Sequence, residues 1–173
     1  MALERPIDAS PELVRDTLRP LRNAFSVALV GAANPFAVGA IIRIAHSYLA
    51  RQILIVGDGG WYEKASMGMH KYETIVRVGS TDELTVTLAG RPLWAVEKDC
   101  ARRSLDSVKQ YPEEVVFAFG SERFGLPADL LKRADEIIAI PLYGINHSLP
   151  VAVCAGIVMH DWARRRYHDG ALA

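Results

Sequence analysis

The residues best suited to chemistry lie in the stretch Gly120-Ser121-Glu122-Arg123-Phe124-Gly125-Leu126-Pro127. It follows Val115 to Phe119, an apolar run that reads as a buried strand. A second strand, Glu136 to Ile140, ends at Pro141 and opens the loop Leu142 to His147. Ser148-Leu149-Pro150 then begins the last helix, with Ser148 placed as its N-cap. Two strand ends with glycine-bearing turns can offer backbone N–H and C=O groups to one small ligand. In open α/β sheets, ligands bind outside such carboxyl ends. Upstream, Arg43 falls off the apolar stripe of a helix, in line with Gly39 and Phe36. Gly39 lacks a side chain, so another backbone or a ligand could approach there. Asn34 suits an N-cap, and Glu122 suits an ion pair or a carboxylate near a helix start.

These residues need a scaffold, and the chain alternates strand and helix patterns. Ser10-Pro11-Glu12 marks the start of a short surface helix running to Arg22. Phe25 to Gly31 reads as a strand, and Asn34-Pro35 opens an amphipathic helix to Ala50. Strands follow at Gln52 to Val56, Thr74 to Val78 and Pro92 to Val96, with a helix at Thr81 to Ala89. Trp61 to Tyr72 reads as loop with some helix, and Arg102 to Tyr111 is ambiguous. A helix around Pro127 to Arg133 and a closing helix from Ser148 to Tyr167 complete the order. The alternation predicts an α/β fold, a parallel sheet covered by helices on both faces.

Bulk properties fit one domain over residues 1–173, with 1–22 as a helical extension. Twenty Lys and Arg balance twenty Asp and Glu, which argues against coating nucleic acid by net charge alone. Local basic patches remain available at Arg19 with Arg22, Arg102 with Arg103, Lys132 with Arg133, and Arg164 to Arg166. Two cysteines make neither a disulfide framework nor a metal site. With no signal-like start and no membrane-length apolar run, a cytoplasmic protein is expected. The turn Gly57-Asp58-Gly59-Gly60 lacks the spacing of a dinucleotide or phosphate-loop motif. His46 and His147 have no triad or metal spacing around them and stay outside the catalytic set.

Three ordered motifs resemble those of the SpoU (TrmH-type) family of SPOUT RNA methyltransferases. Asn34, Pro35, Gly39 and Arg43 match N-P-x-x-x-G-x-x-x-R. Gly120, Glu122, Gly125 and Leu126 match G-x-E-x-x-G-[LI], and Ile140, Pro141, Ser148 and Leu149 match the I-P…S-L segment. Ala65-Ser66-Met67-Gly68 is similar to the family's A-S-x-G piece. Where the family most often has Asn after Ser-Leu, this chain has Pro150, which offers neither a side-chain donor nor an N–H.

The resemblance implies a deep C-terminal trefoil knot that holds S-adenosyl-L-methionine, in a homodimer methylating a ribose 2′-hydroxyl of tRNA or rRNA. It assigns catalysis to Arg43, Glu122, Ser148 and Asn34. It assigns the cofactor to Gly120, Ser121, Leu126, Ile140, Leu142, Gly144, Ser148 and Leu149, with no metal. A guanidinium stays protonated, so Arg43 is expected to grip a phosphate and stabilise the developing alkoxide rather than act as a base. The closing helix, apolar almost all round from Leu149 to Met159, is consistent with a second subunit covering it. Pro150 keeps an alternative open: a catalytically weak, knotted RNA-binding protein that retains the cofactor pocket.

Overall fold

The computed structural model describes residues 9–145 and 148–167. Within them a seven-stranded sheet carries helices on both faces. In chain order the elements are α1 (Pro11–Leu18), β1 (Ser26–Val30), α2 (Pro35–Ser47), β2 (Ile53–Val56), β3 (Ile75–Val78) and α3 (Thr81–Leu88). They continue with β4 (Leu93–Val96), β5 (Arg103–Ser104), β6 (Val116–Phe119), α4 (Ala128–Arg133), β7 (Glu136–Ala139) and α5 (Val151–Tyr167). The strand order is β3-β2-β1-β6-β4-β7-β5, and every pairing is parallel.

Alternating side chains divide the core into two layers, as a period of two requires. Val27, Leu29, Ile53, Ile55, Phe117 and Phe119 meet α2 and α5 on one face. Ala28, Val30, Leu54, Val56, Val116 and Ala118 meet α3 and α4 on the other. Both faces are covered, so the strands read as continuous apolar runs rather than as alternation. Trp162 of α5 packs on Phe25 with ring centroids 4.5 Å apart, anchoring the closing helix beside β1.

The capping signals act as read. Ser10 Oγ accepts from Leu13 N at 3.2 Å, and Asn34 Oδ1 accepts from Phe36 N at 3.0 Å. Boundaries shift for local reasons, and α1 stops at Leu18 rather than Arg22, giving way to a 3-10 turn at Arg19–Leu21 around Pro20. α2 stops at Ser47 rather than Ala50, because Leu49 takes φ +51° and Ala50 N donates back to Ala45 O at 2.9 Å. That is a Schellman closure with leucine in the glycine position. α5 begins at Val151 rather than Ser148, and the Pro150 carbonyl accepts from Val153 N and Cys154 N at 2.9 and 3.1 Å. A proline pushes the residue before it into extended backbone, which keeps Leu149 out of the helix.

The ambiguous segment after residue 101 contains β5, which pairs with β7 through Arg103 and Ser104, then a 3-10 turn at Leu105–Ser107. Trp61 to Tyr72 is a run of turns ending in a 3-10 turn at Met69–Lys71. Among the described residues, no helix is long and apolar enough to cross a membrane.

Candidate active site

β4, β6 and β7 end side by side, and their following loops enclose a cavity of about 540 Å³. This volume suits a cofactor-sized ligand. One wall is the turn after β6, and a second is Glu97 to Cys100 after β4. Ile140 and Leu142 after β7, with Ser148, Leu149, Val151 and Cys154, close the remainder.

Glycine is required twice in the turn after β6. A Cβ on Gly120 would sit 2.1 Å from the Gly125 carbonyl carbon, so only hydrogen fits between the two strands of the turn. Gly125 takes φ +64°, and a Cβ there would meet Glu97 Oε2 at 2.4 Å. Gly125 N donates to Ser121 O at 2.9 Å and Phe124 N to Ser121 Oγ at 3.1 Å, closing the turn on itself. The loop therefore has its shape before any ligand arrives.

Glu97 ties the two walls together. Its backbone N–H donates to Ile138 O at 3.0 Å, while Oε2 accepts from Leu126 N at 3.2 Å and Oε1 from Lys98 N at 2.9 Å. Burial pushes the Cys154 thiol above its ordinary range, and Sγ points to Leu149 O at 3.8 Å. A neutral thiol thus joins Leu126, Ile140 and Leu149 on the apolar side of the cavity. At the mouth, Phe124 is 79% exposed beneath the Arg123 guanidinium.

Of the residues singled out from sequence, Gly120, Ser121, Glu122, Leu126, Ile140, Leu142, Ser148 and Leu149 all line this cavity. Gly144, Asn34 and Arg43 do not. Gly144 sits on the exposed loop beside Tyr143 and Ile145; Asn34, the N-cap of α2, and Arg43 on that helix are both exposed. Gly39 shows what its missing side chain admits: a Cβ there would stand 2.6 Å from Tyr62 O and 2.8 Å from Ala65 Cβ. The visitor is backbone, and the A-S-x-G piece is its source. Ser66 in that piece is fully buried, bonded at 2.7 Å to both Glu63 O and His70 Nδ1.

The loop Glu97 to Cys100 carries lining residues that the sequence reading did not single out. The available signal was a polar run, Glu97-Lys98-Asp99, directly after the apolar strand Leu93 to Val96. Carboxyl ends of parallel strands are where such residues meet ligands.

The model of the SpoU rRNA Methylase family matches residues 24–160. The tRNA (guanosine(18)-2'-O)-methyltransferase of Aquifex aeolicus is 28% identical over 109 residues, covering 62% of this chain and 52% of that protein. The 23S rRNA (guanosine-2'-O-)-methyltransferase RlmB of Coxiella burnetii is 26% identical over 148 residues, covering 83% and 59%. The chain thus spans little more than half the length of these curated relatives. Among solved structures, an AdoMet-bound rRNA methyltransferase from Sinorhizobium meliloti superposes with a TM-score of 0.73 at 28% identity, covering 88% of this chain and 60% of that one. The A. aeolicus TrmH/SpoU tRNA modifying enzyme shares the fold, with a TM-score of 0.79 at 23% identity over 92% of this chain and 84% of that one. The match opens just before β1, runs through most of α5 and takes in every motif that meets at the cavity: the chain belongs to the SpoU rRNA Methylase family.

Proposed function

We propose that this chain is a methyltransferase that uses S-adenosyl-L-methionine to methylate a ribose 2′-hydroxyl of tRNA or rRNA. The observation that carries this reading is the convergence of the second and third motifs on one cavity of cofactor size. The names of the A. aeolicus, C. burnetii and S. meliloti relatives agree with it.

The residues present fit that cofactor. Gly120 and Gly125 keep the turn free of side chains that would fill it, and Leu126, Ile140 and Leu149 supply an apolar lining suited to adenine. Bound there, S-adenosylmethionine supplies an activated methyl group on a sulfonium, so the chain's own task is alignment. Glu122 and Ser148 line the cavity and orient the ribose or an arginine against it. The Arg43 guanidinium grips the neighbouring phosphate and stabilises charge developing on the 2′-oxygen. Asn34 caps the first turn of α2 and so buttresses the first-motif loop, two turns before Arg43.

Arg43 lies outside the cavity lining of its own chain, which favours a homodimer in which one copy lends it to the other. α5 offers a contact face, with Val153 45% exposed beside small residues such as Ala152 and Gly156. A trefoil passage of the C-terminal segment and a cytoplasmic setting belong to the same reading.

Transfer of labelled methyl groups to bulk tRNA and rRNA tests it, followed by nuclease mapping to 2′-O-methylated nucleotides. Arg43→Ala should lose at least 100-fold in transfer while keeping its affinity for S-adenosylhomocysteine. Absence of any transfer by the wild type would overturn the proposal, leaving a binding protein.

A further inference from the structure

A second cavity, of about 400 Å³, lies far from the first and nothing in the methyl-transfer reading uses it. Its lining includes Arg15, Arg19, Arg22 and Arg51, and among the described residues no carboxylate lines it. Asn23 and Ala24 precede β1, Arg51 precedes β2 and Thr74 precedes β3, so the cleft opens at the amino edge of the sheet. The first cavity opens at the opposite edge, a strand length of roughly 15 Å away.

The four arginines are graded from floor to rim. Arg22 is 10% exposed and fixed by Glu73 at 2.6 and 3.0 Å, Ala50 O at 2.7 Å and Tyr72 O at 2.7 Å. Arg15 and Arg51 are half-exposed walls, held by Lys71 O and Glu12, and by Glu114. Arg19 stands at the rim, 79% exposed, with only Asp16 one turn away. Exposed pairs of this i,i+3 kind are weak, so the guanidinium groups of Arg15 and Arg19 can exchange their carboxylates for phosphate at little cost. Behind them, burial and then the positive charge of Arg51 lower the Arg91 pKa, against the opposing pull of Glu114. Each lining arginine is paired with one carboxylate, Glu12, Asp16, Glu73 or Glu114, but none of these four lines the cleft, so it is guanidinium groups that face it. The Tyr167 hydroxyl donates to Asn23 Oδ1, which places the end of α5 beside the cleft.

The cleft also connects with the helix that carries Arg43. His46 lies one turn beyond Arg43, and its Nδ1 is 2.7 Å from Glu73 Oε1, the carboxylate that fixes Arg22. Both terminal nitrogens of Arg22 are already engaged by Glu73, Ala50 O and Tyr72 O, so a ligand meets the wall and rim arginines rather than the floor. A repeating polyanion can follow Arg51, Arg15 and Arg19 from wall to rim.

We infer that this arginine-lined cleft is a second RNA contact, gripping the phosphodiester backbone away from the methylated nucleotide; the inference rests on the RNA-methyltransferase reading above. It sets the register of the substrate without reading its bases, since phosphate contacts position and do not specify.

Fluorescence anisotropy of end-labelled bulk tRNA, titrated with the full chain across a KCl series, tests the site. The double variant Arg15→Gln with Arg19→Gln should bind about tenfold more weakly and lower the slope of log affinity against log salt by about 2. Arg51→Gln, as an independent single variant, should lower that slope by about 1. Affinity for S-adenosylhomocysteine by calorimetry should not move, and circular dichroism should report a folded chain. Unchanged affinity and slope in both variants would overturn the inference. An equal loss in Lys132→Gln with Arg133→Gln would overturn it too, because the effect would then be diffuse charge. Pyrophosphate binding abolished by the arginine variants, with tRNA binding intact, would make the cleft a small-anion site instead. A wild type that binds tRNA through these arginines but transfers no methyl group defeats the proposed reaction and leaves the contact standing.

Discussion

Glu97 and Leu126 are joined across the cavity by a 3.2 Å hydrogen bond from a backbone N–H to a carboxylate oxygen. Through it, the loop after β4 holds the glycine turn after β6 at a fixed separation. Removing the acceptor leaves that N–H without its partner and loosens one wall against the other. Glu97→Ala should weaken S-adenosylhomocysteine binding about tenfold, the equivalent of about 1.4 kcal/mol. Isothermal titration decides it: an unaltered dissociation constant means that the wall stands without Glu97.

Gly120 tolerates no side chain. Its Cβ would lie 2.1 Å from one backbone carbon and 2.5 Å from the Leu126 nitrogen, and backbone cannot rotate away as a side chain can. Gly120→Ala should cost about 3 kcal/mol of stability, the upper end of overpacking penalties. Urea denaturation measures this directly, and a variant as stable as the parent would show that the turn can open.

The Arg22–Glu73 pair is buried, with the carboxylate side chain fully inaccessible and the guanidinium nearly so. Truncating one partner strands the other's charge. Arg22→Ala should lose about 3–5 kcal/mol in equilibrium unfolding. Arg22→Lys should recover only part, since an ammonium cannot reproduce the fork that holds Glu73, Ala50 O and Tyr72 O together. Full recovery by lysine would mean that charge alone matters there.

Much of this architecture is readable from local text, and the reasons differ by element. Asn34-Pro35 and Ser10-Pro11 announce helix starts because a capping side chain and a fixed φ act within three residues. β1, β2 and β6 are legible because burial on both faces demands an unbroken apolar run. β5 is not: two residues, one a charged Arg103, carry no period, and only pairing with β7 makes them a strand. The same holds at the site. Gly120, Leu126 and Ile140 were found through motif spacing, whereas Glu97 matters because β4 lies beside both β6 and β7. Strand order is non-local, and so is the separation of Arg43 from the cavity lining.

Acid should weaken the fold partly through Asp161 on α5. Burial alone would raise its pKa, but hydrogen bonds from Arg165, Tyr111 and Arg164 outweigh that and hold the carboxyl below its ordinary value. The unfolded chain therefore takes up this proton first as pH falls. The contribution is complete above the unfolded value of about 3.9 and disappears as pH drops through the folded one. Unfolding free energies from pH 7 to 3 should show a shallower acid decline in Asp161→Asn than in the parent, from a lower plateau. Identical slopes would remove Asp161 from the titration.

The position of β6 between β1 and β4 has a consequence for how the molecule comes into being. Until residue 116 has left the ribosome, both neighbours present raw hydrogen-bonding edges with nothing to dock on them. Early synthesis yields one three-stranded half-sheet, β3-β2-β1, and a lone β4 whose other neighbour, β7, is made later still; the stitch between them arrives late, from far along the chain. Assembly is consequently slow, dominated by distant pairings, and exposed to sticking between nascent copies during translation.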